Sequence, residues 1–247
     1  MIGRRGIIGG LLGGFVAGCT KVAQSGPGAS LLAAVEGWNH DLHRILAKRT
    51  ALAREFSLAD ISPVFRGNGT TDPATPAYAS HVANAFADWR LVIDGLVERP
   101  AVLSLAQLKA MPQRTQITRH DCVEGWSAIG QWSGVPLGAL LRAAGLRPEA
   151  KFIVFHCADM LSGTRYYESI DLIDAMHPQT IVAHSLNGAP LPVKNGAPLR
   201  MRIERQLGYK QAKYVERIEA VATLDDIAGG KGGYWEDSSG YQWYAGI

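Results

Sequence analysis

The stretch Arg119-His120-Asp121-Cys122-Val123-Glu124-Gly125-Trp126 sets a single sulfur at the end of a run of alternating polar and β-branched residues (Arg114 to Arg119). That run reads as a strand, so Cys122 is delivered at its C-terminal end, in a polar turn. Positive charge from Arg119 and His120 is expected to lower the thiol pKa, and a thiolate is both a nucleophile and a soft metal ligand. Four readings follow from the residues alone: a metal-ligand sulfur, a nucleophile with a histidine base, half of a zinc site, or an inert buried cysteine. A zinc site would draw on His120, Cys122, His156 and Cys157, whose H-x-C and H-C spacings are not those of structural zinc modules. A hydrolase would need one histidine among His120, His156 and His184, and the sequence selects none. Cys122 and Cys157 together could also form a disulfide in an oxidising compartment.

Further along, Asn195-Gly196-Ala197-Pro198-Leu199-Arg200 is a Gly/Pro-shaped turn ending in a guanidinium. Between Lys194 and Arg217 seven basic residues stand against Glu204 and Glu216, a local balance of +5 where the whole chain carries +3. A solvated charged face is the ordinary explanation of such a run. Here Gly196, Pro198, Gly208, Tyr209 and Tyr214 interleave with the charges and shape the backbone. Glycine lets main-chain N–H groups approach an anion and arginine forks onto phosphate, so a phosphate-bearing ligand is implied.

Read together, the two segments resemble the sulfite-oxidase-fold molybdopterin oxidoreductases. Cys122-Val123-Glu124-Gly125-Trp126-Ser127 with Trp132-x-Gly-Val-Pro136-Leu is similar to the cysteine region of the periplasmic methionine sulfoxide reductase catalytic subunits. Asn195 to Arg200 followed by Leu207-Gly208-Tyr209-Lys210-Gln211-Ala212-Lys213 is similar to their pterin-binding stretch. The likeness runs from about Trp89 to Val221. It implies an α+β, sulfite-oxidase-like domain of mixed β-sheets with short helices and a molybdenum–molybdopterin cofactor. By position, it implies Cys122 as molybdenum ligand and Asn195, Arg200, Gln211, Ala212 and Lys213 as cofactor-binding residues. Cys157 stands where the family has a cofactor-contacting threonine, and Asn68 in the Gly-Asn-Gly loop answers to an N-terminal family asparagine. Arg119 and His120 are the candidate groups for polarising a substrate oxygen.

The expected activity is two-electron oxygen-atom transfer, reducing S-oxide or N-oxide small molecules. Sulfite-type oxidation by the same centre, or a non-redox ligand-binding lipoprotein, are the alternatives. Val-Glu-Gly-Trp replaces the arginine-rich sequence that follows the cysteine in sulfite oxidases, which disfavours sulfite. The residues after Val221 are too few for the immunoglobulin-like dimerisation domain of those enzymes, so a monomer is expected. Since no C-x-x-C-H haem attachment occurs, electrons are expected from a membrane haem or quinone-linked protein.

The outer segments bear on location. Arg4-Arg5, a short apolar stretch and Val16-Ala17-Gly18-Cys19 look like a twin-arginine, lipobox-type export signal over residues 1–19. A periplasmic protein is expected, with Cys19 as a lipid-anchor site and no other membrane attachment. Without the two leader arginines the charge falls from +3 to +1, too little for a nucleic-acid binder. Nearly half the residues (47%) are apolar, enough for one sizeable core, with disorder confined to the leader and a Gly26-Pro27 linker.

Residues 20–88 are expected to form an N-terminal helix and loop segment. The helix is drawn from Ser30 to Thr50, and the irregular stretch from Arg66 to Tyr78. Residues 89–247 would form the catalytic domain, closing on a Gly/aromatic strap (Gly229 to Tyr244) of which Trp235, Tyr241 or Trp243 borders the substrate funnel. Within it a capping box at Ser104 and Gln107 starts a helix, Pro136 opens another that Gly145 closes, and Asn187-Gly188 marks a hairpin. There is no G-x-G-x-x-G, and a dinucleotide fold is not supported.

Overall fold

The computed structural model describes residues 25–46 and 50–247. The leader arginines and Cys19 therefore lie outside the described residues. The chain divides into two units, with the boundary at Arg49–Thr50.

The first unit contributes one helix, α1 (Gly26–Leu46). Gly26-Pro27 is its first turn rather than a linker. A proline fits there because its fixed φ is helical and its missing N–H has no helical partner to lose. Ser25 Oγ accepts from the Gly28 N–H at 3.1 Å and caps the start. Leu31, Val35, Trp38, Leu42 and Ile45 are exposed along the helix. Among the described residues no helix is long and apolar enough to cross a membrane.

The second unit is α+β. Its elements run α2 (Pro76–Ala83), β1 (Arg90–Gly95), β2 (Ala101–Ser104), α3 (Leu105–Ala110), β3 (Arg114–Cys122), β4 (Trp126–Pro136) and α4 (Leu137–Ala144). Then follow β5 (Phe152–Leu161), β6 (Thr164–Asp171), α5 (Leu172–Ala175), β7 (Ile181–Leu186), β8 (Ala189–Pro190), β9 (Arg200–Arg202), β10 (Val215–Val221) and α6 (Tyr234–Ser239). One sheet has the order β2-β1-β10-β5-β6; the other runs β3-β4-β7-β8, with β9 also paired to β7. Only β1 and β10 pair in parallel, so both sheets are mostly antiparallel with short helices between strands.

Local chemistry explains most of these elements. The Ser104 hydroxyl accepts from the Gln107 N–H, and Gln107 Oε1 accepts from the Ser104 N–H at 2.9 Å, closing the capping box of α3. Gly145 ends α4 at φ 72°, a conformation that favours glycine. Asn187 and Gly188, both at positive φ, turn β7 into β8.

β4 and β6 are among the strands not expected from the sequence. β4 carries Gly130 and Gly134, which normally weaken a strand. Here a Cβ at Gly134 would lie 2.1 Å from the Val182 carbonyl oxygen, so close approach of β7 requires glycine. β6 is buried without alternation from Tyr166 to Ile170, because the chain's tail covers its outer side, bridging Glu168 to Gly233.

The main core joins β1, β5 and β10 to α4 through Leu91, Ile93, Ile153, Phe155, Leu141 and Ile218. A smaller cluster gathers on Phe65, Trp132, Ile181 and Leu186 beneath β4.

Candidate active site

β3 carries an unusual inward face. Its alternation buries Gln116, Thr118, His120 and Cys122 in succession, all polar or polarisable. Such a face is stable only if each group finds a partner. β9 supplies those partners. Arg202 is fully buried, donates from Nη1 to His120 Nδ1 at 3.0 Å, and is neutralised by Glu204 at 2.6 Å. Glu204 also accepts from the Gln116 amide at 2.7 Å. The guanidiniums of Arg202 and Arg200 lie 4.4 and 5.0 Å from the Trp132 ring centroid, a cation–π contact on two neighbouring charges.

Cys122 ends this column. It lines a cavity of about 130 Å³ together with Asn68, Asp159, Gln211, Lys213 and Trp235. The thiol is only 9% exposed, and burial pushes its pKa up, with the neighbouring Glu124 carboxylate adding to the effect. The expectation of a thiol acidified by Arg119 is corrected by the geometry. Arg119 sits on the opposite face of β3, 56% exposed, and pairs with Asp121 at 2.9 Å. It borders a separate, more open cavity of about 320 Å³ with Arg54 and Phe56.

His120 is fully buried beside Gly208 and does not line the Cys122 cavity. Burial and then Arg202 hold its pKa well below the usual value. With Nδ1 accepting from Arg202, the neutral ring carries its proton on Nε2, which has no partner.

The anion segment converges on the same cavity from the other side. The Asn195 carbonyl accepts from Arg200 Nη1 at 3.0 Å, and the Gln211 carbonyl from Nη2 at 3.4 Å, while Arg200 Nε is buried without a partner. Burial, then Arg202, push the Arg200 pKa down, yet a guanidinium stays charged at neutral pH. Lys213 Nζ donates only to carbonyls, those of Asn68 (2.5 Å), Thr70 and Lys194 (3.4 Å). Burial and Arg200 bring its pKa down to about 7. Among the described residues neither Arg200 nor Lys213 has a carboxylate at ion-pair distance. Ala212 is buried behind them, its carbonyl accepting from the Met201 N–H at 2.7 Å. Asn195 donates from Nδ2 to the Arg66 carbonyl at 3.2 Å and holds the loop that carries Asn68.

Three polar oxygens in or against the cavity, Asn68 Oδ1, Thr70 Oγ1 and Asp159 Oδ1, are buried without a hydrogen-bond partner. Cys157 is not among the lining residues. It is fully buried in the main core, and desolvation drives its thiol well above the usual range. Both described cysteines are free, so they do not pair. His156 points away from Cys157 and binds Glu219 at 2.8 Å, and His184 contacts Gln113 at 3.0 Å. No histidine therefore lines the thiol's cavity, and the four-residue zinc arrangement does not assemble.

A buried thiol, two uncompensated cations and a set of orphaned polar atoms fit a thiolate-bound metal on an anionic, polar organic carrier. Glycines complete the cradle. A Cβ at Gly208 would lie 2.5 Å from His120 Nε2, and one at Gly196 would lie 2.9 Å from Lys213 Cγ. Residues 78–226 match the family model described as the oxidoreductase molybdopterin binding domain.

The chain belongs to this family.

Its cofactor is molybdenum–molybdopterin, and its fold is the molybdopterin-binding fold of sulfite-oxidase type. Among relatives of this molybdopterin-binding domain, an Azospira oryzae protein, provisionally named protein-methionine-sulfoxide reductase subunit YedZ1, is 44% identical over 160 residues. That match covers 65% of this chain and 56% of the relative. The protein-methionine-sulfoxide reductase catalytic subunit MsrP of Xanthomonas axonopodis pv. citri is 35% identical over 173 residues, 66% of this chain and 52% of the relative. The crystal structure of the sulfane dehydrogenase SoxCD from Paracoccus pantotrophus superposes with a TM-score of 0.53 at 25% identity, covering 62% of this chain and 41% of that one. The chain thus spans about half the length of the curated relatives it matches.

Several residues of the site were missed in the sequence. Asp159, Thr70 and Tyr166 carry no motif. Glu204 could have been found, since an acid two residues after Arg202, in the turn that follows β9, is its natural counter-charge. Trp235 and Tyr241 line the cavity, whereas Trp243 turns inward and donates from Nε1 to Ser169 Oγ at 2.8 Å.

Proposed function

We propose that the protein is an exported molybdopterin oxidoreductase that reduces S-oxide or N-oxide substrates. For a sulfoxide, the sulfur–oxygen bond breaks and the oxygen leaves as water with two protons. Two electrons from the donor reduce the sulfoxide to the sulfide. The observation that carries this reading is the meeting of the Cys122 thiol with the uncompensated Lys213 ammonium in one cavity, with the buried Arg200 guanidinium behind it and close enough to act on the thiol.

When bound, the cofactor supplies two-electron chemistry and accepts or gives an oxygen atom. The chain's own residues bind and orient. Cys122 would hold the metal through its sulfur, as the thiolate, since coordination would offset the burial penalty on the charged form. Lys213 and Arg200 hold the anionic end, and Asn68, Thr70 and Asp159 offer oxygens to N–H groups of the carrier. Asn195 and Gln211 fix the Arg200 guanidinium through their carbonyls, and Ala212 ties the segment to β9 through the Met201 N–H. His120 acts as a positioning residue, held by Arg202 and packed beneath Gly208 and Trp126.

Glu124 lines the thiol's cavity and its carboxylate acts on the thiol, whereas Arg119 faces away. A carboxylate beside the thiol, with Lys213 and Arg200 committed to the anionic end of the cofactor, disfavours sulfite and favours a neutral oxide. The relatives named as methionine-sulfoxide reductase subunits support the same substrate class. Their being subunits supports an electron donor in trans, which we take to be a membrane haem or quinone-linked protein. Export rests on Arg4-Arg5 and Val16 to Cys19.

Protein made in a host that synthesises the pterin should carry about one molybdenum per chain and reduce sulfoxides with reduced viologen. Cys122→Ala should lose at least ~10³-fold in that rate with an unchanged circular dichroism spectrum. Full activity in that variant, or sulfite oxidation in place of sulfoxide reduction, would refute the assignment.

A further inference from the structure

The segment from Gly229 onward lies outside the matched region, which ends at residue 226, yet it supplies two walls of the Cys122 cavity. Trp235 and Tyr241 stack with ring centroids 5.7 Å apart and an interplanar angle of 24°. Tyr241 meets the Tyr209 ring edge-on at 5.1 Å, and Trp235 meets Tyr234 at 5.2 Å. Val123 and Leu161 add apolar lining to these rings, and Asn68, Asp159 and Lys213 supply polar lining.

These rings are fixed rather than loosely draped. Glu236, next to Trp235, is buried in an ion triad with Lys210 (2.6 Å) and Glu168, itself 2.5 Å from Lys210. Asp237 accepts from the Gly229 and Lys231 N–H groups at 2.9 and 3.0 Å and from the Tyr167 hydroxyl. Tyr209 donates its hydroxyl to the Gln242 carbonyl at 2.6 Å, tying the far side of Tyr241. A pre-ordered aromatic surface binds a flat or polarisable group at little entropic cost. Sulfur in particular makes favourable contacts with aromatic rings.

We infer that Trp235 and Tyr241 form a specificity subsite that receives the organic substituent of the oxide. The enzyme would then prefer oxides bearing an aryl or long thioether-alkyl group over small hydrophilic ones. This deepens the oxide-reductase reading and rests on it.

The test compares methyl p-tolyl sulfoxide with dimethyl sulfoxide on the holoenzyme, with the sulfide product's binding measured by calorimetry. The wild type should favour the aryl oxide at least ~10-fold in kcat/KM, about the worth of one well-packed apolar contact. Trp235→Ala should remove most of that preference through KM for the aryl oxide, with sulfide binding weakened about as much. Tyr241→Phe should retain the preference, and Tyr241→Ala should lose it if Trp235→Ala fails to load metal. An unchanged ratio in a folded, metal-loaded Trp235→Ala enzyme overturns the subsite. If no sulfoxide is turned over but methyl p-tolyl sulfide binds in a Trp235-dependent way, the subsite stands and the oxide-reductase reading falls. If there is neither turnover nor binding, both fall.

Discussion

Cys122, Asp159 and Lys213 show how a site can be built by leaving charges uncompensated. Burial raises the Asp159 carboxyl from 3.8 to about 6, with Thr70 and Lys213 opposing the shift. The folded chain therefore keeps a proton that the unfolded chain releases near pH 4, so stability falls as pH rises between about 4 and 6. Above that window the penalty is complete, at roughly 3 kcal/mol for a rise of that size. In cofactor-free protein Asp159→Asn is expected to raise the urea-unfolding free energy by as much as ~3 kcal/mol at pH 8. It should change little at pH 4. Lys213 bears the opposite burden. Its ammonium is disfavoured down to about 7 by burial and Arg200, so an arriving anion both pairs with it and restores its proton. Lys213→Met should leave the cofactor-free chain at least as stable as wild type. The same variant should weaken molybdenum retention on dialysis by about 10- to 100-fold, the loss of one charge-assisted hydrogen bond.

At the scale of elements, β3 explains why Cys122 reaches the cavity, while the two groups expected to polarise a substrate oxygen do not: His120 is buried below Cys122 on the same face, and Arg119 is on the other face. The sequence marked the strand and the residue types, while a period of two assigns neighbours to opposite faces. Charge proximity along the chain was read as proximity in space, and the pleat put Arg119 on the other side. The 3-10 turn Gly208–Lys210 shows the same limit for glycine. Gly208 was read as shaping an anion loop, whereas its lack of a Cβ makes room for His120. Gly208→Ala must move either the ring or the turn. A loss of ~1–3 kcal/mol in chemical denaturation and a lower molybdenum content are expected.

For the molecule as a whole, the buried triad Glu168–Lys210–Glu236 couples the last helix to β6 and to the anion segment. Two carboxyls share one ammonium, and burial holds Glu168 well above the usual carboxylate range, so one acid keeps its proton. Lys210→Met strands the pair and should cost ~3–5 kcal/mol, with earlier cleavage of the tail in limited proteolysis. Glu168→Gln preserves the shape of the protonated acid and should cost less than ~1 kcal/mol. Thermal melts of the two variants side by side check the difference.

The fold class was legible in the sequence through the family resemblance, which also pointed to Cys122 and to the basic Gly/Pro segment that the structure brings near one cavity. The motifs that carry that resemblance are local, short runs of residue type and spacing. Only packing in three dimensions assigned Cys157 to the core, turned Arg119 out of the site, and brought Asp159, Thr70 and Tyr166 into it. It also turned Trp235 and Tyr241, more than a hundred residues after Cys122, toward the same cavity. Burial and orientation are properties of strand register and of what packs across it, and no residue carries them in its own spacing.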